Sequence, residues 1–257
     1  MRVVLIGYGN LATQLGKTLH QNAVNVVQVY GRDIEKASRL AECIGAQAVS
    51  APECLDCTAD IYICALKDSV FDEVLSVLPR FQGLLVHTAG SVSMDVLRAY
   101  SSRVGVFYPL QTFSMNREVD FRVIPVYVEA SNEEDEQLLF NLGKRLTTQV
   151  YPCSSEQRRW LHLAAVFACN FVNYLYCLSS DLLDTHQLDF NQLLPLIDET
   201  ARKVHEMRPK EAQTGPATRY DRNIMDAHKQ MLADRPDVQA LYETMSKHIF
   251  NHVNNEL

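Results

Sequence analysis

Six residues near the start of the chain form a turn that could hold a phosphate. The turn has the pattern Gly-x-Gly-x-x-Ala between an apolar, strand-like run and a helical pattern, and its residues are Gly7, Tyr8, Gly9, Asn10, Leu11 and Ala12. The first glycine permits a tight bend, the second leaves room for a pyrophosphate, and the alanine lets the helix pack on the strand. Free N–H groups at the helix start would face the anion. The turn predicts a bound dinucleotide, with a glycine turn that binds nothing and a methyltransferase turn as alternatives.

The end of the second predicted strand indicates which dinucleotide is bound. Tyr30, Gly31, Arg32 and Asp33 lie about twenty residues after the turn, where an acidic side chain would bind the ribose of NAD. The guanidinium of Arg32 can instead pair with a 2′-phosphate, because its geometry matches the phosphate oxygens. We therefore expect NADP rather than NAD, and we expect Asp33 to cap the helix that begins at Ile34.

Two further loops follow strands of the same predicted sheet. In an open parallel sheet, ligands lie beyond the carboxyl ends of the strands, so both loops could contact the ribose and nicotinamide. The residues expected to contact the cofactor are Leu66, Lys67, Thr88, Ala89 and Gly90, with Ser91 beside the substrate. The alternative for Thr88 and Ser91 is a role as turn or cap residues. His87 ends one of these strands and is a candidate proton donor, with a histidine bonded locally at a strand end as the alternative.

A stripe of polar residues on a long apolar helix could line the substrate. At about 100° per residue, His162, Val166 and Asn173 lie within about 40° of one another, and Asn170 lies at the edge of the stripe. His162 and Asn170 are therefore candidate catalytic residues, with polar groups satisfied inside a helix bundle as the alternative. Residues 160–180 contain no Asp, Glu, Lys or Arg. We expect a buried core helix rather than a membrane span, because the polar groups would be costly in lipid.

A polar loop with Gly and Pro interrupts the helical pattern near residue 214. Thr214, Arg219 and Asp221 are candidate substrate ligands there, and Arg219 could bind an anionic group. The alternative is a linker in which Asp221 caps the next helix.

The elements that must position these residues alternate between strand and helix as far as Pro152. Runs that are apolar on both faces, separated by amphipathic segments, predict a mostly parallel sheet covered on both sides, which is the doubly wound α/β fold. After Pro152 the pattern is helical, with helices near 155–185, 190–207, 222–233 and 236–253. We expect a Rossmann domain over residues 1–152 and an all-helical domain over residues 153–257.

Composition narrows the range of partners and compartments. The chain has 257 residues, of which 47% are hydrophobic, and a formal net charge of -7, so it offers no general cationic surface to a nucleic acid. Its seven cysteines are odd in number and lie mostly in apolar runs, which favours a reduced, cytoplasmic protein. Cys54 and Cys57 form a Cys-x-x-Cys pair without a second pair or a histidine cluster, so we expect no metal site.

Together these motifs resemble a family of Rossmann-like proteins that carry a helical domain of unknown function. The resemblance lies in the glycine turn and in residues 30–33, 65–68, 87–91, 108–113, 162–170 and 215–221. Members of the family are commonly labelled NADP oxidoreductases. They are more distantly similar to pyrroline-5-carboxylate reductase, ketopantoate reductase and deazaflavin-dependent NADP oxidoreductases. The resemblance implies hydride transfer between NADPH and a small C=O or C=N substrate in the cleft between the domains.

Two positions differ from the pattern of these relatives. The hydroxyacid dehydrogenase and ketopantoate branch carries a lysine at the position of Val166, and the family's His-Pro-Leu-Gln segment begins here with Tyr108. The candidates for supplying a proton or polarising the substrate are His87, Tyr108, His162 and Asn170, and Gln111 is a further candidate substrate ligand. A non-catalytic NADP(H)-binding sensor or scaffold is the alternative function.

The aromatic residues around the long helix also bear on assembly. Trp160, Phe167, Phe171, Tyr174 and Tyr176 give this helix more apolar circumference than the few following helices could cover. We therefore expect a homodimer through the helical domain.

Overall fold

The computed structural model describes residues 1–254. Its strands are β1 (Arg2–Ile6), β2 (Asn25–Tyr30), β3 (Gln47–Val49), β4 (Ile61–Cys64), β5 (Leu84–His87), β6 (Val104–Pro109), β7 (Val126–Ala130) and β8 (Val150–Pro152). Within the described residues they form one sheet in the order β3-β2-β1-β4-β5-β6-β7-β8. Neighbouring strands are parallel except β6 and β7, which are antiparallel. The carboxyl ends of β1, β2, β4, β5 and β6 therefore meet at one edge, called the carboxyl edge below. The predicted doubly wound fold is confirmed.

The helices follow the predicted alternation and then the predicted helical region. They are α1 (Asn10–Gln21), α2 (Ile34–Ile44), α3 (Phe71–Leu75), α4 (Glu133–Leu146), α5 (Ser155–Ala165), α6 (Val172–Thr185), α7 (Leu194–Glu206), α8 (Pro209–Ala212), α9 (Arg222–Met231) and α10 (Pro236–Asn254). A π-helical segment, Val166–Phe171, joins α5 to α6. The side chain of Asp33 accepts the N–H of Lys36 at 3.2 Å, so the predicted cap of α2 is confirmed.

Both faces of the sheet are covered, which is why its strands are apolar throughout. Val3 and Leu5 of β1 lie in one buried cluster with side chains of α1, α2 and α4, whereas Val4 and Ile6 lie in a second cluster with side chains of α3. All four are fully buried. Successive side chains of a strand point to opposite faces, so a continuous apolar run suits a sheet with two covered faces.

The chain divides into two compact units, one over Met1–Tyr174 and the other from Leu175 onward. The predicted boundary at Pro152 marks the end of the last strand, whereas the division between compact units falls inside α6. The first unit extends further because α5 is attached to the sheet. Arg158 on α5 is fully buried, and Nδ1 of His162 lies 3.0 Å from the hydroxyl of Tyr108 on β6.

The apolar part of the long helix from Ser155 to Thr185 is not buried by the rest of the described chain, although Arg158 near its start is, so the expectation of a buried core helix was wrong. None of the residues in its most apolar stretch is buried within the described chain. By length and composition alone this helix could cross a membrane. Phe167 is 61% exposed and Phe171 is 50% exposed. The expectation failed because an apolar pattern indicates a covered face but not whether the same chain supplies the cover.

Candidate active site

The two glycines of the turn between β1 and α1 have different structural roles. Gly7 has a φ of 118°, and a Cβ there would lie 2.4 Å from the carbonyl oxygen of Ala65. Gly9 has an ordinary φ of -75°, and a Cβ there would have no atom from elsewhere in the described chain within 4 Å. Gly9 also gives α1 no side-chain cap. No side chain at the N-cap therefore occupies the first N–H groups of α1, and an uncapped helix start of this kind can bind a phosphate.

A cavity of about 360 Å³ lies beside this turn. Its walls are the turn itself, the ends of β2 and β4, and α3, and its lining residues are Gly7, Tyr8, Gly9, Tyr30, Gly31, Arg32, Ala65, Leu66, Lys67, Val70 and Val74. The sequence predicted six of these as cofactor ligands, including both cations, Arg32 and Lys67. The carboxylate of Glu73 on α3 forms an ion pair with Arg32. A cavity with an open glycine and two cations fits a phosphorylated dinucleotide.

Five other residues predicted to hold the cofactor have side chains that make contacts within the chain, and their contact with a cofactor stays a prediction. Asn10 donates through Nδ2 to a carbonyl of the loop after β6, at 3.0 Å. Leu11 and Ala12 pack into the apolar cluster under α1. Thr88 donates through its hydroxyl to the carbonyl at the end of β4 at 3.4 Å, and Ala89 is buried. These side chains fix the turn and the strand ends.

His87, a candidate proton donor at the end of β5, is fully buried. Its Nδ1 accepts the N–H of Ala89 at 3.1 Å, and its Nε2 has no hydrogen-bond partner within residues 1–254. Burial, reinforced by the charge of Arg158, lowers the pKa of His87 to about 4. The ring is therefore neutral at neutral pH, and a catalytic role for it stays a prediction. The alternative interpretation, a histidine bonded locally at a strand end, accounts for this geometry.

The structure brings together two other candidates, Tyr108 and His162. The Tyr108 hydroxyl, at the carboxyl edge, lies 3.0 Å from Nδ1 of His162 on α5. Burial raises the pKa of Tyr108 to about 12, against the opposing charge of Arg158, so this tyrosine keeps its proton at neutral pH. His162 is half-buried, and its ring packs so closely on Gly90 that a Cβ there would lie 2.4 Å from Nδ1. A hydrogen-bonded hydroxyl and imidazole can deliver a proton.

The predicted polar stripe is interrupted by the π-helical segment Val166–Phe171. Hydrogen bonds in such a segment join residues i and i+5, so the period of 3.6 residues that aligned His162 with Asn170 does not continue through it. Asn170 is exposed. Short π segments occur frequently at functional sites, and the catalytic role of Asn170 stays a prediction.

Two predicted substrate ligands lie in the first unit. Ser91 donates through its hydroxyl to the carboxylate of Asp68 at 2.6 Å, which joins the loops after β4 and β5. Gln111 is exposed in the loop after β6, where its Oε1 accepts the N–H of Thr112 at 2.8 Å. Ser91 therefore has a positioning contact of its own, and Gln111 remains accessible to a ligand.

The other predicted substrate ligands, Thr214, Arg219 and Asp221, belong to the second unit. The side chain of Asp221 accepts the N–H of Ile224 at 3.5 Å and caps α9, as the linker alternative predicts. Thr214 and Arg219 are exposed. Contact of these residues with a substrate stays a prediction.

The sequence pattern did not predict two charged residues that shape the site, Glu73 and Arg158. Glu73 pairs with the cofactor-binding candidate Arg32, and Arg158 is buried beside the loop that follows β5. The spacing of four residues between Arg158 and His162, at the start of the apolar helix, is the sequence signal that could have indicated a role for Arg158. A charged residue there is ordinarily taken for part of a solvated face, because an arginine is rarely fully buried unless it is paired.

The fold and the glycine turn define a protein with a Rossmann-like domain, and comparison with known proteins gives its family. Residues 2–88 match the family described as NADP oxidoreductase, coenzyme F420-dependent, and residues 124–249 match a domain of unknown function. A structure named "putative NADP oxidoreductase" from Bacteroides fragilis is 49% identical, over 97% of this chain and 98% of that chain, with a TM-score of 0.93. The chain belongs to the NADP oxidoreductase-like family that joins these two domains.

Two solved structures with lower identity share the fold. A 1-pyrroline-5-carboxylate reductase from Streptococcus pyogenes is 15% identical over 98% of each chain, with a TM-score of 0.65. A reductive aminase from Aspergillus terreus, in complex with NADPH and ethyl levulinate, is 13% identical over 96% of this chain and 94% of that chain, with a TM-score of 0.72. The search of curated proteins gave no match. The predicted distant resemblance to pyrroline-5-carboxylate reductase is confirmed for the fold.

Proposed function

We propose that the protein is an NADP-dependent oxidoreductase that transfers a hydride between NADPH and a small C=O or C=N group. The observation that carries this proposal is the cavity beside the glycine turn, where Gly9 leaves room for a pyrophosphate and Arg32 and Lys67 supply positive charge. The name of the relative from Bacteroides fragilis and the NADPH complex of the reductive aminase support the same cofactor.

The protein must supply a proton to the oxygen or nitrogen of the substrate, because bound NADPH would supply only the hydride. Tyr108 is the donor that we propose, since it keeps its proton at neutral pH and lies in hydrogen-bonding distance of His162. His162 is partly exposed and can return a proton to Tyr108 from solvent. Asn170 is proposed to bind the C=O or C=N group, because an amide can both donate and accept a hydrogen bond.

We further propose that the protein is a cytoplasmic homodimer that assembles through its helical region. The exposed aromatic side chains of the helix Ser155–Thr185 would be covered by a second copy. Insertion of this helix into a membrane is disfavoured, because Arg158 and His162 near its start are bonded to groups of the sheet and its loops. The seven cysteines are free, which suits a reducing compartment.

The decisive experiment follows NADPH consumption with a panel of keto acids and cyclic imines. We expect consumption that depends on one class of substrate, and a rate at least tenfold lower in Tyr108→Phe, with NADPH affinity within threefold of wild type. Tyr151→Phe, which alters an exposed tyrosine, is the matched control. NADPH binding without turnover of any compound would favour the sensor or scaffold, and failure to bind NADPH would overturn both functions.

A further inference from the structure

Arg158 carries a fully buried guanidinium whose partners come from three elements. Its Nε donates to the carbonyl of Ala89 at 3.2 Å, and Nη2 donates to the carbonyl of Val92 at 2.5 Å, both in the loop after β5. Nη1 donates to the carboxylate of Glu129 on β7 at 2.6 Å. Ser155, in the first turn of α5, accepts from Nη2 at 3.1 Å and donates to Glu129 at 2.7 Å. The guanidinium thus ties α5 to the loop and to the sheet.

The contacts of Arg158 lie close to His162. His162 is four residues after Arg158, so the two side chains share one face of α5. Gly90, on which the His162 ring packs, lies between Ala89 and Val92, whose carbonyls Arg158 binds. Arg158 therefore joins the two sides of this contact, which are the helix that carries His162 and the loop that carries Gly90.

Glu129 on β7 connects Arg158 to the part of the sheet that carries Tyr108. Glu129 on β7 pairs with Val106 on β6, two residues before Tyr108. The ion pair between Arg158 and Glu129 consequently anchors α5 to the strand next to the one that carries the Tyr108 hydroxyl.

We infer that Arg158 is a positioning residue that holds His162 within hydrogen-bonding distance of Tyr108. A fully buried guanidinium does not touch the substrate, so it acts through α5 and the loop after β5. The inference rests on the proposed function only for its effect on turnover. The dependence of the bond between His162 and Tyr108 on Arg158 is a property of the folded chain and can be measured without a substrate.

The test reads the ring nitrogens of His162 by nuclear magnetic resonance of the folded, full-length protein. His162→Gln assigns the signals, and Tyr108→Phe gives the Nδ1 position when the bond is absent. We expect Arg158→Met to move the Nδ1 signal to the position seen in Tyr108→Phe. Arg158→Lys should do the same, because an ammonium is a compact charge without the planar fork that reaches several acceptors. Arg159→Met, at the neighbouring exposed arginine, should match wild type.

Arg158→Met leaves the Glu129 carboxylate without its cation, so this variant could fail to fold. The double variant Arg158→Met/Glu129→Met removes both charges and should show the same Nδ1 shift. On a substrate from the panel, we expect kcat to fall at least tenfold while the NADPH Kd stays within threefold. A folded variant with the wild-type Nδ1 signal would overturn the inference. A shifted signal with an unchanged kcat supports the positioning role and overturns the proposed catalytic role of the pair.

Discussion

At the scale of single residues, the pair formed by Arg32 and Glu73 bears on cofactor preference. A 2′-phosphate would compete with the Glu73 carboxylate for the guanidinium. We expect Arg32→Ala to weaken NADPH binding by about 1.5 to 3 kcal/mol, the scale of a charge-assisted hydrogen bond, and to leave NADH binding nearly unchanged. Calorimetric titration with both cofactors measures this difference, and equal losses would remove the assignment of Arg32 to the 2′-phosphate.

Glu73→Gln should have the opposite effect on the same cofactor. The variant removes a competitor for Arg32 and a negative charge near the expected 2′-phosphate, so NADPH binding should tighten by about two- to fivefold, the scale of an exposed ion pair. NADH binding should not change. Asp72→Asn, which alters the adjacent carboxylate on α3, is the matched control. Weaker NADPH binding in Glu73→Gln would show that Glu73 orients Arg32 rather than competing for it.

The burial of His87 predicts a component of stability that depends on pH. Its pKa is about 4 in the folded chain and about 6.5 in an unfolded chain, so below pH 6.5 the unfolded state takes up a proton that the folded state does not. The free energy of unfolding should therefore fall as the pH falls from 6.5 towards 4, by about 2.5 kcal/mol at pH 4.5. Urea unfolding of wild type and His87→Gln at pH 7 and 4.5 isolates this component, and parallel losses in the two proteins would contradict it.

At the scale of elements, the two glycines of the turn between β1 and α1 differ in what we expect of them. Gly7 is needed for the fold, and Gly9 is needed to make room for the cofactor. Gly7→Ala should destabilise the protein strongly, because its Cβ would meet the Ala65 carbonyl and its φ is positive. Gly9→Ala should leave the Tm nearly unchanged, since the Cβ enters open space, yet weaken NADPH binding at least tenfold by filling the expected pyrophosphate site. Thermal unfolding and NADPH titration of both variants check this, and tight NADPH binding in Gly9→Ala would place the pyrophosphate elsewhere.

The same scale shows what the sequence could predict. Hydrophobic periodicity predicts most strands and helices, because the spacing of apolar residues within a segment shows which of its faces are covered. A strand of three residues such as β3 is too short to show a period. The π segment Val166–Phe171 is also missed, because a single wider turn leaves little trace in a pattern of apolar residues.

The candidate site likewise has one part that the sequence can predict and another part that it cannot. The glycine turn and Arg32 are predictable because their spacing is local. The approach of Tyr108 to His162 joins residues 54 positions apart, and it depends on packing between α5 and the loop after β5 that no local pattern contains. The burial of His87 likewise follows from what covers the end of β5, including the ring of Phe71 at a centroid distance of 5.6 Å.

At the scale of the whole molecule, the exposed aromatic side chains of the long helix predict the oligomeric state. We expect light scattering to show a dimer at micromolar concentration, and we expect Phe167→Glu/Phe171→Glu to be monomeric, because the charges would be buried in the interface. Val77→Glu, at a residue that is 56% exposed on the first unit, should remain a dimer. A wild-type monomer would contradict the proposal, and wild-type protein that requires detergent to stay in solution would favour a lipid partner.

The buried guanidinium of Arg158 also limits how genes of this kind can be recombined. A crossover at Pro152, where the last strand ends, would join this sheet to a foreign α5, and a foreign helix without an arginine at position 158 would leave Glu129 and the carbonyls of the loop after β5 without their cation. A crossover after Tyr174 would transmit the arginine and all its acceptors together. Residues 1–174 should therefore be inherited as one block, and chimaeras joined at the apparent domain border should fail more often than those joined one helix later.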